Sequence, residues 1–202
     1  MSDLVLALVA YVIGSLPTGV VMGWLAGIDV RSVGSGNIGA TNVARAAGRT
    51  AGLITLIVDV GKGVAAVALA RALGTSSLAV PAAALAAPLG HVFSVFLRFS
   101  GGKGVATGLG SCLALAPSAM VPPTLTFAAA FAVTRIVSVA SLAAAWTTPV
   151  SMALAGAERP TVVVAVLIAV VITVRHQDNI RRLRAGTEPR FGKRLGPPQA
   201  RL

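Results

Sequence analysis

From Leu4 to Gly27 the chain runs for 24 residues without a charge. A helix needs about 20 apolar residues to cross the hydrocarbon core of a bilayer, so this one block is long enough to span it. Further apolar blocks follow as far as residue 175, and only 11% of the chain is charged, against roughly 25% in a soluble domain. One core built from 202 residues, 55% of them hydrophobic, cannot bury that much apolar surface. The fold class expected is all-α, a polytopic integral membrane protein. The opening block reads as a retained helix rather than a signal peptide. Its flank, Ser2-Asp3, has no basic n-region, and the block exceeds the ~7–15 apolar residues of a signal. The single cysteine, Cys112, excludes an intrachain disulfide.

Spans are expected near 4–27, 51–72, 78–98, 104–117, 119–134, 136–156 and 160–175, which makes a seven-helix transmembrane bundle. The fourth and fifth are short and carry Pro117, Pro122 and Pro123, so tilted helices, broken helices or a re-entrant pair all fit them. Arg and Lys collect on the cytoplasmic side of a membrane. With seven spans one side receives Arg31, Arg45, Arg49, Arg98, Lys103, Arg135 and the tail, while the other receives Arg71 and Arg159. The N-terminus is therefore expected outside and the C-terminus in the cytoplasm. The formal net charge of +11 owes more than half its excess to the tail, where eight Arg or Lys from Arg175 onward face only Asp178 and Glu188. A basic tail beside a membrane suits anionic headgroups, and no nucleic-acid partner is expected. The whole chain, 1–202, reads as one membrane-embedded domain in contact with the lipid bilayer, with 176–202 a basic cytoplasmic tail.

Gly34-Ser35-Gly36-Asn37-Ile38-Gly39 fits the dinucleotide pattern G-x-G-x-x-G, with Asp59 twenty residues further on. That pattern works only between a strand and a helix of a parallel sheet. Here a membrane helix precedes it and Asp59 lies in the apolar run LITLIVDVGKG, so the match is accidental. A Walker A loop fails too, because Lys62 and Lys103 are each followed by Gly rather than Ser or Thr. The underlying physics survives: glycines let backbone N–H groups converge on an anion. Around the first loop Ser35, Asn37, Thr41 and Asn42 add neutral donors and Arg45 adds a cation. In the second, Ser100-Gly101-Gly102-Lys103-Gly104, a lysine stands among glycines. Flexible interfacial turns are the plain alternative for either loop alone.

Ionisable groups at membrane depth are costly and are usually paired or functional. Asp59 and Lys62, at i and i+3, suit an internal pair or a phosphate-binding lysine positioned by the aspartate. His176, Asn179 and Arg182 share a helix face where the last span ends, and His91 sits in apolar surroundings that favour a packing or supporting role. No cluster has metal-ligand spacing, so neither a metal nor a cofactor is expected. The His-x4-Asp signature of the common glycerolipid acyltransferases is absent.

Four segments in order, SGNIGATNVAR (35–45), DVGKG (59–63), GHVFSVFLRFSGGKGVATGLG (90–110) and RHQDNIRRLRAGTE (175–188), resemble the bacterial acyl-phosphate:glycerol-3-phosphate acyltransferases, the PlsY family. The resemblance implies an enzyme of the bacterial cell (inner) membrane, multi-pass, with its site facing the cytoplasm. It would transfer a fatty acyl group from acyl-phosphate to the 1-hydroxyl of sn-glycerol 3-phosphate, giving lysophosphatidic acid and phosphate in phospholipid synthesis. Carried over by position, His176, Asn179, Ser35 and Arg45 form the catalytic set. Gly36, Asn37, Thr41, Asn42, Lys62, Gly101, Gly102, Lys103 and Gly104 fall to substrate and phosphate binding. Asp59, His91 and Glu188 fall to structural support. The family often has Pro where this chain has Ile38 and Ser94, and Lys where it has Ser100.

An acyl-phosphate is already activated, so a protein need supply only orientation, charge stabilisation and help with one proton. Direct attack by the glycerol hydroxyl fits the lack of an obvious nucleophile. His176 or a substrate phosphate oxygen takes the proton, and the sequence leaves both open, as it leaves the oligomeric state, with which a monomer is compatible. The rival class is an anion or phosphate-ester transporter, whose broken helix ends would face an anion. No inverted repeat relates the two halves, and the polar motifs crowd one side.

Overall fold

The structure, a computed structural model, describes residues 2–74 and 76–192. The last ten residues of the expected tail, 193–202, lie outside the described residues. Ten α-helices make up nearly all of it: α1 (Asp3–Ser15), α2 (Thr18–Leu25), α3 (Ala40–Ala46), α4 (Arg49–Leu73), α5 (Ala79–Val92), α6 (Val105–Leu115), α7 (Val121–Thr134), α8 (Val137–Leu154), α9 (Arg159–Arg175) and α10 (Gln177–Arg184). Short 3-10 turns at Val95–Leu97 and Ser118–Met120 extend α5 and lead into α7. No strand occurs among the described residues.

Four stretches are long and apolar enough to cross a membrane: Asp3–Leu25, Arg49–Leu73, Ala79–Leu97 and Val137–Leu154. A fifth is Arg159–Arg175 taken together with α10, across a bend of 58°. Val105–Leu115 and Ser118–Thr134 are apolar but shorter. Large apolar side chains face outward, among them Leu25, Val133 and Leu154 at 77%, 84% and 84% exposure. In water such a surface would aggregate, whereas in lipid it is the solvated face. The helices meet through small residues that let backbones approach closely. A Cβ on Gly63 of α4 would lie 2.2 Å from the Thr107 carbonyl oxygen, and one on Gly110 of α6 would lie 2.0 Å from that of Val60.

The first span is not one helix. Pro17 lacks an N–H and cannot continue the ladder, so α1 stops at Ser15 and α2 starts at Thr18. The break frees carbonyls inside the protein, where an unpaired one is expensive. The Ser15 carbonyl accepts from Ser94 Oγ at 2.6 Å and the Leu16 carbonyl from Lys62 Nζ at 2.6 Å. Ser94 thus ties the end of α5 to the break. The other unforeseen helix is α3, while α10 carries the face on which Asn179 and Arg182 were expected. Residues 177–192 are no free tail: α10 turns back, and the Phe191 N–H donates to the Arg135 carbonyl at 2.7 Å. The Phe191 ring also stands edge-on to Phe131, with centroids 5.5 Å apart.

Candidate active site

A cavity of about 640 Å³ is lined by residues of every helix from α3 to α10. Helical periodicity builds its walls. On α9 Ala165, Ile168 and Ile172 line it and His176 follows at the bend, while on α7 Pro123, Phe127 and Phe131 form a matching stripe. One end is polar, with Ser35, Arg45, Lys103, His176, Asn179 and Glu188, and the arm leading away is apolar.

Glu188 organises the polar end. Its Oε1 accepts from Ser138 Oγ at 2.7 Å and Asn179 Nδ2 at 2.5 Å, and its Oε2 from Arg182 Nε at 2.7 Å. Burial alone would raise this carboxyl, but the bonds from Asn179, Ser138 and Arg182 outweigh it and hold Glu188 below the usual range. Asn179 then turns its Oδ1 to accept from Lys103 Nζ at 2.5 Å. A single network therefore joins the start of α8, α10 and the loop before α6. Burial, the largest influence, lowers Lys103 to about 8, with Glu188 pulling it up and Arg182 pushing it down.

His176 sits at the bend between α9 and α10 and is 3% exposed. Its Nδ1 lies 2.7 Å from the Ile172 carbonyl oxygen. That contact is a hydrogen bond only if Nδ1 carries the proton, which leaves the Nε2 lone pair free. Burial and then the Lys103 charge lower the imidazole to about 4, so it is neutral near pH 7.

The loop before α6 works differently from expectation. Gly101 and Gly102 do not line the cavity, and their N–H groups are taken by the carbonyls of Val92 and His91, both at 3.0 Å. They permit contact rather than cradle an anion. A Cβ on Gly102 would stand 2.2 Å from His91 Nε2, and one on Gly101 would stand 2.0 Å from the His91 carbonyl oxygen. The Arg175 guanidinium holds the opposite edge, donating to the Gly102 and Gly101 carbonyls at 3.3 Å each. Lys103 and Gly104, which has φ 78°, do reach the cavity at the N-terminal end of α6.

In the first motif Ser35, Asn37, Thr41, Asn42 and Arg45 all line the cavity. Asn42 is not free to bind a ligand, however. Its Nδ2 donates to the Val30 and Val33 carbonyls and its Oδ1 accepts from the Ser35 N–H, so it closes the loop. Asn37 spends its Oδ1 on the Gly39 N–H. Gly36, with φ 66°, is a turn residue away from the cavity. Thr41 and Arg45, one turn apart on α3, are left to meet a substrate together with the Ser35 hydroxyl and the Asn37 Nδ2 donors.

Lys62 is the clearest correction. It does not line the cavity; its ammonium is buried 2.5 Å from Asp59 Oδ1 and bonded to the Leu16 carbonyl. The lysine satisfies the broken first span instead of a phosphate. Asp59 and His91 do line the cavity, with Asp59 Oδ1 3.9 Å from His91 Nδ1. Removing one partner of a buried ion pair costs about 3–5 kcal/mol. Lys62→Met is therefore expected to lower the thermal midpoint sharply while the folded fraction keeps its KM for glycerol 3-phosphate. A raised KM would put Lys62 back among the ligands.

Arg182 lies on the helix face expected from the sequence, whereas Arg175 and Ser138 were not marked as site residues. The two arginines flank the motif around His176 and Asn179, but nothing in the pattern marks Ser138 as a partner of a carboxylate fifty residues on. No cluster of three or more His, Cys, Asp or Glu able to hold a metal occurs among the described residues.

A lipid-facing helical bundle whose cavity joins a cationic, histidine-bearing head to an apolar arm defines a class: a membrane-embedded protein that handles an amphiphilic anion. Comparison with known proteins narrows the class. Residues 4–186 match the glycerol-3-phosphate acyltransferase family, and the chain belongs to that family. A glycerol-3-phosphate acyltransferase of Geobacter sulfurreducens is 47% identical over 192 residues, covering 95% of this chain and 98% of that one. The crystal structure of PlsY, an integral membrane glycerol 3-phosphate acyltransferase, in its glycerol 3-phosphate form superposes with a TM-score of 0.90 at 40% identity, covering 94% and 96% of the two chains. Its lysophosphatidic acid form gives 0.87 at 39% identity, covering 94% and 95%.

Proposed function

We propose that this membrane enzyme transfers a fatty acyl group from acyl-phosphate to the 1-hydroxyl of sn-glycerol 3-phosphate, releasing lysophosphatidic acid and phosphate. One observation carries the reading: a single cavity puts Arg45, Lys103 and His176 at the mouth of an apolar arm. Related structures in glycerol 3-phosphate and lysophosphatidic acid forms support the acceptor and the product.

In the proposed reaction the acyl chain lies along the arm and the phosphates meet Arg45, Lys103 and the N-terminus of α6, where N–H groups and the helix dipole favour an anion. The 1-hydroxyl oxygen attacks the acyl carbonyl carbon and the carbon–oxygen bond to phosphate breaks. His176 Nε2, neutral and free, takes the hydroxyl proton, and the departing phosphate carries away the electron pair. Bound phosphate charge raises His176 from its resting value of about 4 and strengthens it as a base when it is needed. Every residue used comes from one chain, so a monomer suffices.

The same reading makes α1–α2, α4, α5, α6, residues 118–134, α8 and α9 seven crossings of one domain in a bacterial inner membrane. The N-terminus is outside and the polar end of the cavity faces the cytoplasm, in keeping with the charge asymmetry along the chain.

Phosphate release from palmitoyl-phosphate, with and without glycerol 3-phosphate, tests the reaction. Acceptor-dependent release matched by lysophosphatidic acid is expected, and release without the acceptor or with no acylated product would overturn it. Lys103 gives a pH signature. Protonated below about 8 and neutral above, it binds a phosphate dianion best on the acid side of that value. Because kcat/KM reports groups of the free enzyme, kcat/KM for glycerol 3-phosphate should fall as pH rises through about 8. Lys103→Arg, charged throughout, should flatten the decline, and Lys103→Ala should raise KM on the acid side of about 8, with the gap to wild type closing above it.

A further inference from the structure

The apolar arm of the cavity has an end. On α9 the lining runs from His176 back to Ala165, on α8 from Val137 to Thr148, and along residues 120–131 from Phe131 back to Met120. Each path is eleven residues, or about 16 Å at ~1.5 Å per residue. Beyond that depth packed side chains close the α8 and α9 side, while on the far side of Met120 a separate cleft of about 240 Å³, lined by Leu113, Pro117, Met120, Val121, Thr124 and Leu125, opens outward. Met152, one turn past Thr148 on α8, is fully buried and belongs to one cluster with Cys112, Met120 and Ala165. Ser151 Oγ donates to the Ala119 carbonyl at 2.6 Å and fixes the turn that carries Met120 against α8.

We infer that this wall, formed by Met120, Met152 and Ala165, sets the length of acyl chain the enzyme prefers. The inference rests on the reading that the arm holds the acyl chain. An extended chain advances about 1.25 Å per carbon, from ~1.5 Å bonds at ~111°, so the arm covers about 13 carbons before the wall. A longer chain must press on the two methionines or bend aside toward lipid. Methionine is unbranched and adaptable, which makes such a wall selective rather than absolute. Ala165 is the sharper control, because its small side chain, 1% exposed, leaves the last of the depth open.

Two substitutions of opposite sign test this. Purified wild type, Ala165→Leu and Met152→Ala are each given glycerol 3-phosphate and an equimolar mixture of lauroyl-, myristoyl-, palmitoyl- and stearoyl-phosphate, and the products are resolved by mass spectrometry. A misplaced methylene in an apolar pocket changes discrimination by about 10- to 200-fold. Ala165→Leu should therefore lower the stearoyl-to-lauroyl product ratio about tenfold or more while lauroyl transfer persists. Met152→Ala, which removes the plug, should raise the ratio. A folding defect lowers all products together and cannot move the two ratios in opposite directions. If Ala165→Leu does not fold, Thr148→Leu fills the same end from α8 and should shift the ratio in the same direction. Unchanged ratios in the folded variants would overturn the inference, whereas wild type that forms no acylated product from any donor would instead remove the reading beneath it.

Discussion

Replacing His176 with alanine should lower kcat by about a hundred- to ten-thousand-fold, the range lost with a positioned general base, and leave KM for glycerol 3-phosphate within a few-fold. The argument is geometric before it is electrostatic. The bond from Nδ1 to the Ile172 carbonyl fixes the tautomer, and among the described residues no protein group bonds Nε2. The ring faces the same cavity as Lys103 and Arg45, so the base stands beside the groups that gather the phosphates. Because His176 is buried, His176→Gln is the better-packed companion: it fills much of the volume and offers an amide instead of a base. Both variants should lose turnover together and retain product binding. Turnover within about threefold of wild type in either variant would assign the proton to a phosphate oxygen of the substrate, with His176 reduced to orienting it. In wild type the acid limb of kcat/KM should lie below the ordinary histidine range, because burial and Lys103 hold the free imidazole at about 4.

Glu188 shows how much of this site is built at a distance. It donates nothing to a substrate, yet it holds Asn179 and Arg182 of α10 and Ser138 of α8, and through Asn179 it aims Lys103. A carboxylate with several donors is fixed in place, and the donors are fixed in turn. The C-terminal segment therefore belongs to the site as much as the glycine loops do.

Much of the fold was legible because lipid imposes a simple rule: long uncharged runs must be helices. The runs from residue 51 onward fall within a few residues of α4 to α9. The first block misled for a physical reason. Pro17 interrupts it without a charge or turn cluster to announce the break, and a membrane helix tolerates such a break when other groups satisfy the freed carbonyls. Those groups are Lys62 and Ser94, so the misassigned role of Lys62 and the unforeseen break have the same origin. At the site, Arg45, Lys103, His176 and Asn179 stand out in the sequence as polar residues in apolar surroundings, and the structure gathers them at one cavity, with the Asn179 amide spent on Lys103 and Glu188. Asn42, Gly101 and Gly102 were given ligand roles because composition cannot tell a free N–H or amide from one already spent on the backbone.

The glycines of the second loop give the other large effect. At Gly102 the backbone permits an alanine, but its Cβ would lie 2.2 Å from His91 Nε2. His91 is 5% exposed, so its ring has little room to withdraw. The loop must move instead and takes Lys103 off Asn179. Displacing a catalytic group by about 1 Å can cost about a hundredfold, and Gly102→Ala should lower kcat/KM by at least that order. The cause predicts its own cure. Combining Gly102→Ala with His91→Ala removes the obstructing ring, so the double variant should be more active than Gly102→Ala alone, a coupling that additive damage cannot produce. Gly101→Ala should be as harmful, yet His91→Ala should not rescue it, because its Cβ meets the His91 carbonyl oxygen at 2.0 Å and every residue carries that atom. Rescue at 102 without rescue at 101 would identify close packing on His91 as the reason for the two glycines. Equal behaviour at both positions would remove contact with the His91 ring as the cause of the defect at 102.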